Sequence, residues 1–287
     1  MALGKPCARC WLKRGTKLCV PKVAFIHFLT SKRANVFVAD RDKAGAESVA
    51  KELNALGKGK AYAGALDVAD WEQQVSAFEA AISALKRVNY VFPIAGVGER
   101  PWLPIEPKST SWHAPDLTTL DIDLKGVMYT VALAVQYFRR QDVADYGFRG
   151  KIMGVASVCG FYSVPTLPVY TAAKHGVVGF VRTYGKYLPE EKITLNAVCP
   201  NVVRTHISTE AFYDQIDARG LMVPMSYLLD TFSGWLGSDT TSGQLVECGP
   251  KGSRVFEPPQ FMDKESEELC GDRGLLYQRS RKLHPSA

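Results

Sequence analysis

From Asn35 onward, short apolar runs alternate with longer segments in which apolar residues recur every three or four positions. The short runs predict buried strands, and the longer spacing predicts amphipathic helices. The predicted strands are Asn35–Ala39, Lys60–Leu66, Val88–Ala95, Lys151–Val158, Ile193–Val198 and Gln244–Val246. The predicted helices are Asp42–Leu56, Ala69–Leu85, Leu117–Arg139 and Tyr170–Leu188. This alternation predicts an α/β fold in which a doubly wound parallel sheet is covered by helices on both faces.

No internal repeat or low-complexity linker divides the chain, so we expect one domain over residues 23–250. Within it, residues 206–236 break the alternation and are rich in Phe, Tyr, Met and Leu. Residues 1–22 are predicted to form an irregular basic segment. Residues 251–287 are polar and are predicted to form an irregular tail on the surface.

The composition is that of an ordinary globular protein, with 287 residues of which 46% are hydrophobic and 22% are charged. No run of about 18 apolar residues is present, so no membrane span is expected. The first residues lack the apolar centre of a signal peptide. Seven scattered cysteines predict reduced thiols, and with them a cytoplasmic protein.

The net charge of +6 comes from the start of the chain. Residues 1–39 contain eight Lys or Arg and no acidic residue, which leaves 27 basic against 29 acidic residues elsewhere. A basic start is also found in targeting segments and nucleic-acid arms. This one is poor in Ser and has no amphipathic repeat up to Val20, and the remaining chain is not basic. We therefore expect no nucleic-acid partner.

The stretch from Cys19 to Asp40 resembles part of a dinucleotide-binding unit. The apolar run at Val36–Val38 is followed by Asp40, the position at which a carboxylate binds the ribose hydroxyls of NAD. Such a unit normally begins with glycines that let the backbone approach the pyrophosphate. No glycine lies between Gly15 and Gly45. The sequence thus predicts a dinucleotide site with a degenerate phosphate loop.

The candidate chemistry lies between Gly150 and Gly185. Tyr170 and Lys174 are one turn apart on a predicted helix, so their side chains share a face. A nearby ammonium favours the phenolate and brings a tyrosine pKa, ordinarily near 10, toward the working range of a proton-transfer group. Ser157 follows an apolar strand 13 residues upstream, where a hydroxyl can bind a carbonyl oxygen. The combined spacing is far more specific than any of its parts.

With these residues the chain resembles the classical short-chain dehydrogenases/reductases over roughly residues 31–250. It is most similar to NAD-dependent 15-hydroxyprostaglandin dehydrogenase-like members as found in fungal secondary metabolism. Besides Ser157, the segments that carry the resemblance are Ala34–Asp40, Leu66–Val68, Ile94–Gly98, Asp121–Val127, Tyr170–Lys174 and Asn196–Thr205.

The resemblance implies a catalytic set and a cofactor site. Tyr170 exchanges the proton, Lys174 binds the nicotinamide ribose and tunes Tyr170, and Ser157 orients the carbonyl. Asp123 stands where the family has the Asn of its catalytic tetrad. The implied cofactor-binding residues are Asp40, Asp67, Val68, Ala95, Gly96, Lys125, Tyr170, Lys174, Val203 and Thr205. In the family, the segment at 206–236 closes over the substrate.

Three further departures from the family pattern concern the cofactor site. Pro93 and Ile94 replace an Asn pair before Ala95-Gly96, and Asn201 replaces a Gly. Cys7 and Cys10 stand where the first strand and the Thr-Gly-x-x-x-Gly-x-Gly loop are expected. No second Cys/His pair at finger-like spacing supports a zinc site. We therefore interpret Pro6 to about Val23 as a disrupted segment in which the first strand is missing or irregular, and expect no bound metal.

Two functional hypotheses follow. The first is an oxidoreductase that interconverts a hydrophobic secondary alcohol and a ketone in secondary metabolism. The second is a catalytically impaired relative that acts as a binding or subunit-pairing module. Asp40 favours NAD as the cofactor, whereas the neighbouring Arg41 keeps NADP open. A homodimer or homotetramer is the expected assembly.

Overall fold

The computed structural model describes residues 17–19, 34–104, 111–205 and 207–283. Eight strands form one sheet in the order β3-β2-β1-β4-β5-β6-β7-β8. The strands are β1 Lys17–Cys19, β2 Asn35–Asp40, β3 Ala61–Ala65, β4 Tyr90–Val91, β5 Gly150–Val155, β6 Ile193–Pro200, β7 Leu245–Gly249 and β8 Gly252–Val255. All neighbours are parallel except β7 and β8. The predicted doubly wound α/β fold is confirmed.

Helices cover both faces of the sheet. They are α1 Lys43–Ala55, α2 Trp71–Leu85, α3 Gly126–Arg139, α4 Pro168–Tyr187, α5 Glu210–Ala218, α6 Met225–Gly234, α7 Lys264–Cys270 and α8 Leu275–Ser280. A helical turn at Thr118–Leu120 and a wider π-helical turn at Asp121–Lys125 lead into α3. Within the described ranges, no helix combines the length and the apolar character needed to span a membrane.

Strand β2 shows how the core forms on both sides of the sheet. Successive side chains of a strand point to opposite faces. Val36 and Val38 accordingly join the cluster that contains α1 and α6. Phe37 and Ala39 join the cluster that contains α2, α3 and α4. Because all four are buried, the strand reads as a continuous apolar run rather than as an alternating one.

Over residues 17–19, the expectation that the first strand is missing or irregular is wrong. Residues Lys17–Cys19 form β1 in the middle of the sheet, with Leu18 opposite both Val36 of β2 and Tyr90 of β4. The physical reason is that β2 and β4 offer backbone donors and acceptors on both sides of this position, which a short segment can satisfy. Residues 20–33, where a phosphate loop would follow β1, lie outside the described residues, as do Cys7 and Cys10.

The C-terminal tail is not irregular over residues 251–283. A two-residue turn after β7 leads into β8, which pairs antiparallel with β7 and extends the sheet. Gly252 has a φ of +147°, a conformation that favours glycine. Phe256 then stacks on Phe161 with ring centroids 3.7 Å apart. Helices α7 and α8 contain no buried residue, so this part lies on the surface.

Several apolar residues of the segment 206–236 belong to the core. Leu228 and Phe232 are buried, as predicted. Tyr213, Val223 and Trp235 are also buried, so they are not free to form a surface that closes over a ligand. The large apolar side chains that stay exposed are those of Ile207, Phe212 and Leu221. These three are the most exposed large apolar residues of the segment, and Met222, Met225 and Tyr227 are partly exposed beside them.

We expect Glu191→Ala to lower the free energy of unfolding by about 1.5–3 kcal/mol, because it removes charge-assisted hydrogen bonds. Glu191 receives two hydrogen bonds from Arg139 at the end of α3, at 2.5 and 2.7 Å. Its side chain is 4% exposed. The matched control is the neighbouring Glu190→Ala, whose pair with Arg281 is about 40% exposed on both sides and is worth about 0–1 kcal/mol. Denaturant unfolding of both variants compares them, and equal losses would contradict the prediction.

Candidate active site

Ser157 lies just beyond the carboxyl end of β5. The strand ends at Val155, three residues earlier than predicted, and Ser157 begins a 3₁₀ turn at Val158–Gly160. The backbone N–H of Cys159 donates to Ser157 Oγ at 3.1 Å, which fixes the hydroxyl at the start of the turn. Gly160 lets this turn lie against α4, because a Cβ there would be 2.9 Å from the carbonyl oxygen of Lys174. The serine is thereby held beside the helix that carries the tyrosine and the lysine.

Tyr170 and Lys174 are in the first two turns of α4, and both face inward. Lys174 Nζ is 5.4 Å from the centroid of the Tyr170 ring. Burial raises the pKa of the Tyr170 hydroxyl above its ordinary value, the Lys174 ammonium and a hydrogen bond with Ser157 lower it, and Asp123 adds to the rise. The lowering by Lys174 that the sequence predicts is present. The effect of burial on the Tyr170 pKa is larger than that of Lys174, because removing a phenolate from water destabilises it more than this ammonium stabilises it.

Lys174 forms a buried ion pair with Asp123. The distance from Lys174 Nζ to Asp123 Oδ2 is 3.0 Å, and both side chains are at most 5% exposed. Asp123 Oδ1 also accepts a hydrogen bond from the backbone N–H of Val97 at 2.8 Å. Asp123 lies on the π-helical turn, a distortion that is frequent at functional sites. Asp123, which departs from the pattern of the family that the sequence resembles, therefore directly contacts Lys174, the lysine predicted to be catalytic.

We expect Asp123→Asn to move the alkaline limb of the pH–rate profile to lower pH and to keep or increase turnover at neutral pH. The carboxylate raises the pKa of Tyr170 and pairs with the ammonium that lowers it. An amide removes both effects while keeping an oxygen that can accept from Val97. We also expect the free energy of unfolding to fall by about 1–3 kcal/mol, since the charge-assisted bond between Asp123 and Lys174 is lost.

The control for this prediction is Asp121→Asn, on the same π-helical turn. Asp121 pairs with Lys125 at 2.5 Å, and both side chains are more than 40% exposed. Its loss should leave the pH profile unchanged. The test compares profiles of kcat from pH 5 to 10 for the unchanged chain, Asp123→Asn and Asp121→Asn. An Asp123→Asn profile that coincides with that of the unchanged chain would contradict the proposed electrostatic role.

A cleft of about 200 Å³ opens at the carboxyl edge of the sheet. Five of the predicted cofactor-binding residues line it, namely Asp40, Asp67, Val68, Ala95 and Gly96. Ile122, Gly126 and Thr130 close it from the side of α3. Residues from four separate segments of the sequence thus meet in one apolar-walled cleft with carboxylates at its rim. This arrangement fits the adenosine half of a dinucleotide.

Asp40 and Arg41 stand at the rim of this cleft, and both are exposed. Asp40 Oδ1 accepts from the N–H of Asp42 at 2.9 Å. The cap of α1 is Asp42 itself, which accepts from Gly45 at 3.0 Å. Asp40 is therefore not needed as the helix cap, and its second oxygen faces no hydrogen-bond donor in the described part of the chain. Arg41 forms no ion pair with any residue that the structure describes.

The structure does not bring every predicted cofactor residue to the cleft. Lys125 pairs with Asp121 and lies in a groove between α3 and α4, beside Met128 and Phe180. It is predicted as a cation near the cofactor, but it does not line the cleft. Val203 and Thr205 follow β6 at the same sheet edge without lining the cleft. Thr205 Oγ1 is 3.1 Å from the Tyr213 hydroxyl.

Sequence reasoning missed Glu99. Its carboxylate accepts hydrogen bonds from the backbone N–H groups of Val169 and Tyr170, at 3.3 and 2.7 Å. The partners are about 70 positions apart in the chain, and a single glutamate after a glycine carries no local signal.

No grouping of three or more His, Cys, Asp or Glu that could hold a metal ion occurs among the residues the structure describes.

Comparisons with known proteins agree with this geometry. A short chain dehydrogenase family model matches residues 24–216. The chain is 34% identical over 154 residues to the short-chain dehydrogenase/reductase prx7 of Penicillium rubens, covering 52% of this chain and 54% of the relative. It is 30% identical over 159 residues to (-)-trans-carveol dehydrogenase of Rhodococcus erythropolis, covering 55% and 54%. The alignments thus span about half the length of these relatives.

Among solved structures, the fold is similar to that of the 3-ketoacyl-(acyl-carrier-protein) reductase from Brucella melitensis complexed with NADH. The TM-score is 0.66 at 24% identity, over 83% of this chain and 98% of that chain. At this identity the likeness concerns the fold. The family model, however, matches well over half of the present chain and includes Asp40, Asp123, Ser157, Tyr170 and Lys174. The chain belongs to the short chain dehydrogenase family.

Proposed function

We propose that this protein is an oxidoreductase that interconverts a hydrophobic secondary alcohol and a ketone with a nicotinamide dinucleotide. The observation that carries the proposal is the convergence of Ser157, Tyr170 and Lys174 at the sheet edge that also bears the cleft. The buried hydroxyl of Ser157, the half-buried phenol of Tyr170 and the buried ammonium of Lys174 lie close together at this edge. They are the groups that a proton transfer to or from a carbonyl oxygen requires.

Tyr170 is the proton-transfer group of the proposed reaction. With its pKa raised by burial, its hydroxyl holds a proton at neutral pH and can donate it to the oxygen of a ketone. Ser157, held at the start of the 3₁₀ turn, can donate to the same oxygen and orient it. Lys174 stabilises the phenolate that remains after transfer, and Asp123 fixes the position of the ammonium. When bound, the dinucleotide supplies or accepts the hydride.

The cofactor is proposed to be NAD, with NADP as the alternative. Asp40, Asp67, Val68, Ala95 and Gly96 would hold the adenosine half. Lys174 and Tyr170 would face the nicotinamide ribose, and Val203 and Thr205 its carboxamide. The NADH held by the Brucella relative supports a nicotinamide cofactor. The free oxygen of Asp40 supports NAD, because a carboxylate there accepts from ribose hydroxyls and repels a 2′-phosphate.

The substrate is proposed to be apolar and of lipid or polyketide character. The exposed Ile207, Phe212 and Leu221 support this, since they can cover an apolar ligand. The carveol dehydrogenase relative supports an alcohol as the reacting group. The similarity to fungal 15-hydroxyprostaglandin dehydrogenase-like members extends the proposal to secondary metabolism, and the Penicillium relative supports a fungal branch. Assembly as a homodimer or homotetramer stays a prediction.

We expect turnover of hydrophobic secondary alcohols and ketones, with NADH bound more tightly than NADPH. The test combines a substrate panel with dissociation constants for the two reduced cofactors. Asp40→Ala should reverse the preference, because it removes the repulsion of the 2′-phosphate and leaves Arg41 to pair with it. Asp42→Ala, which removes only the cap of α1, is the control. Tighter NADPH binding by the unchanged chain, or turnover of small polar sugars alone, would contradict the proposal.

A further inference from the structure

The start of helix α4 is capped from outside the helix. The first N–H groups of an α-helix have no partner within it. Leu167, at the cap position, has no side chain that can accept them, and Pro168 has no N–H. The first donors are therefore the N–H groups of Val169 and Tyr170, and the first regular helical bond is donated by Thr171 to Leu167. Both free donors bind Glu99, one to each carboxylate oxygen.

Glu99 has no other polar partner in the part of the chain that the structure describes. No ion pair involves its carboxylate, and its two hydrogen bonds are those to the helix. A negative charge at this end of a helix is also favoured by the helix dipole. The interaction is thus specific to the first turn of α4, and one of the two held amides is the backbone N–H of Tyr170 itself.

The loop that contains Glu99 is tied to the catalytic pair at a second point. The N–H of Val97 donates to Asp123, which in turn pairs with Lys174. Gly96 lies against the same carboxylate, since a Cβ on it would be 3.3 Å from Asp123 Oδ2. Residues 96–99 therefore contact Lys174 through Asp123 and Tyr170 through Glu99. The same loop lines the cofactor cleft through Gly96 and Val97.

We infer that Glu99 is a positioning residue that holds Tyr170 in register with Ser157 and Lys174 through the first turn of α4. This inference rests on the proposed function, and it adds a residue that neither the sequence pattern nor the resemblance assigns. Without the carboxylate, the two amides lose their acceptors and the first turn is free to fray. Tyr170 is the third residue of that turn, so its hydroxyl moves with it. Lys174 lies a full turn deeper and stays in place.

The test measures turnover and cofactor KM for Glu99→Ala and Glu99→Gln. Misplacement of a reacting group by about 1 Å can cost up to about a hundredfold in rate, so we expect kcat of Glu99→Ala to fall about 10- to 100-fold. The KM for the dinucleotide should stay within about twofold, because the cleft residues are untouched. Glu99→Gln keeps one acceptor oxygen, so its kcat should lie between that of Glu99→Ala and that of the unchanged chain. It also provides a folded variant should Glu99→Ala fail to fold.

The control is Asp263→Ala, which removes a carboxylate that caps a helix remote from the site. Asp263 accepts from the N–H of Ser266 at 2.7 Å at the start of α7. Its loss should leave kcat unchanged. A wild-type kcat in both Glu99 variants, or a loss that merely follows the fraction of folded protein, would overturn the inference. Tyr170→Phe is measured alongside. If Tyr170→Phe is inactive and the Glu99 variants keep the kcat of the unchanged chain, only the inference on Glu99 is contradicted. If Tyr170→Phe is fully active, the proposed function is contradicted, and this inference with it.

Discussion

Replacing Tyr170 with phenylalanine is expected to lower turnover by a factor of about 10²–10⁴, the usual contribution of a positioned proton donor. Phenylalanine keeps the ring that lies beside Lys174 Nζ and removes only the hydroxyl. The fold and the cofactor cleft should therefore survive. Steady-state kcat and the thermal unfolding midpoint, measured on the same preparation, separate a loss of chemistry from a loss of folded protein.

Tyr187→Phe is the matched control, because Tyr187 is the last residue of the same helix and its ring stacks on Tyr184. It removes a hydroxyl from α4 without touching Ser157 or Lys174. We expect its turnover to equal that of the unchanged chain. Full activity in Tyr170→Phe would show that the proton-transfer role is assigned to the wrong residue.

A Thr-Gly-x-x-x-Gly-x-Gly segment placed after Cys19, where β1 ends, is expected to tighten NADH binding by about 10²–10⁴-fold. The chain has no glycine between Gly15 and Gly45. A glycine loop lets backbone amides at a helix start approach the pyrophosphate, and two such charge-assisted bonds are worth about 3–6 kcal/mol. Basic side chains such as Lys13 and Arg14 attract phosphate but do not replace directed donors.

Calorimetry on the chain as written and on the glycine-bearing variant measures this difference. A segment of equal length with alanine in place of each glycine is the control, since it adds the same number of residues without the close approach. It should bind no more tightly than the chain as written. Comparable affinities for all three proteins would show that the existing segment already binds the pyrophosphate.

The sequence predicted the features that depend on local spacing. The four main helices and the apolar strands follow from their periods. The starts of α1 and α2 lie within two residues of the predicted positions because Asp42 and Asp70 are their N-caps. Ser157, Tyr170 and Lys174 could be predicted together because a strand end and a helix face bring them to one edge. Asp40 follows from the same rule, whereas the cleft residues after β3 and β4 are predicted from the family resemblance.

The features that the sequence did not predict depend on contacts between distant segments. The cap of α4 by Glu99 joins residues about 70 positions apart. The pair between Asp123 and Lys174 also needs the π-helical turn, which has no local signature. β1 pairs with β2 on one side and with β4 on the other. Burial of Tyr213 and Trp235 depends on where α5 and α6 pack, so the sequence alone predicts a more exposed aromatic segment than the structure contains.

The most direct test of the central claim is the fluorescence of NADH and NADPH on titration with the protein, for the chain as written and for the glycine-bearing variant. Binding that brings the nicotinamide ring to Tyr170 and Lys174 should enhance the nicotinamide emission and shift it to the blue. The account predicts this change for NADH at lower protein concentration than for NADPH, and most strongly in the variant. Unchanged emission of both cofactors with both proteins would contradict it, because the site would then not hold a nicotinamide dinucleotide at all.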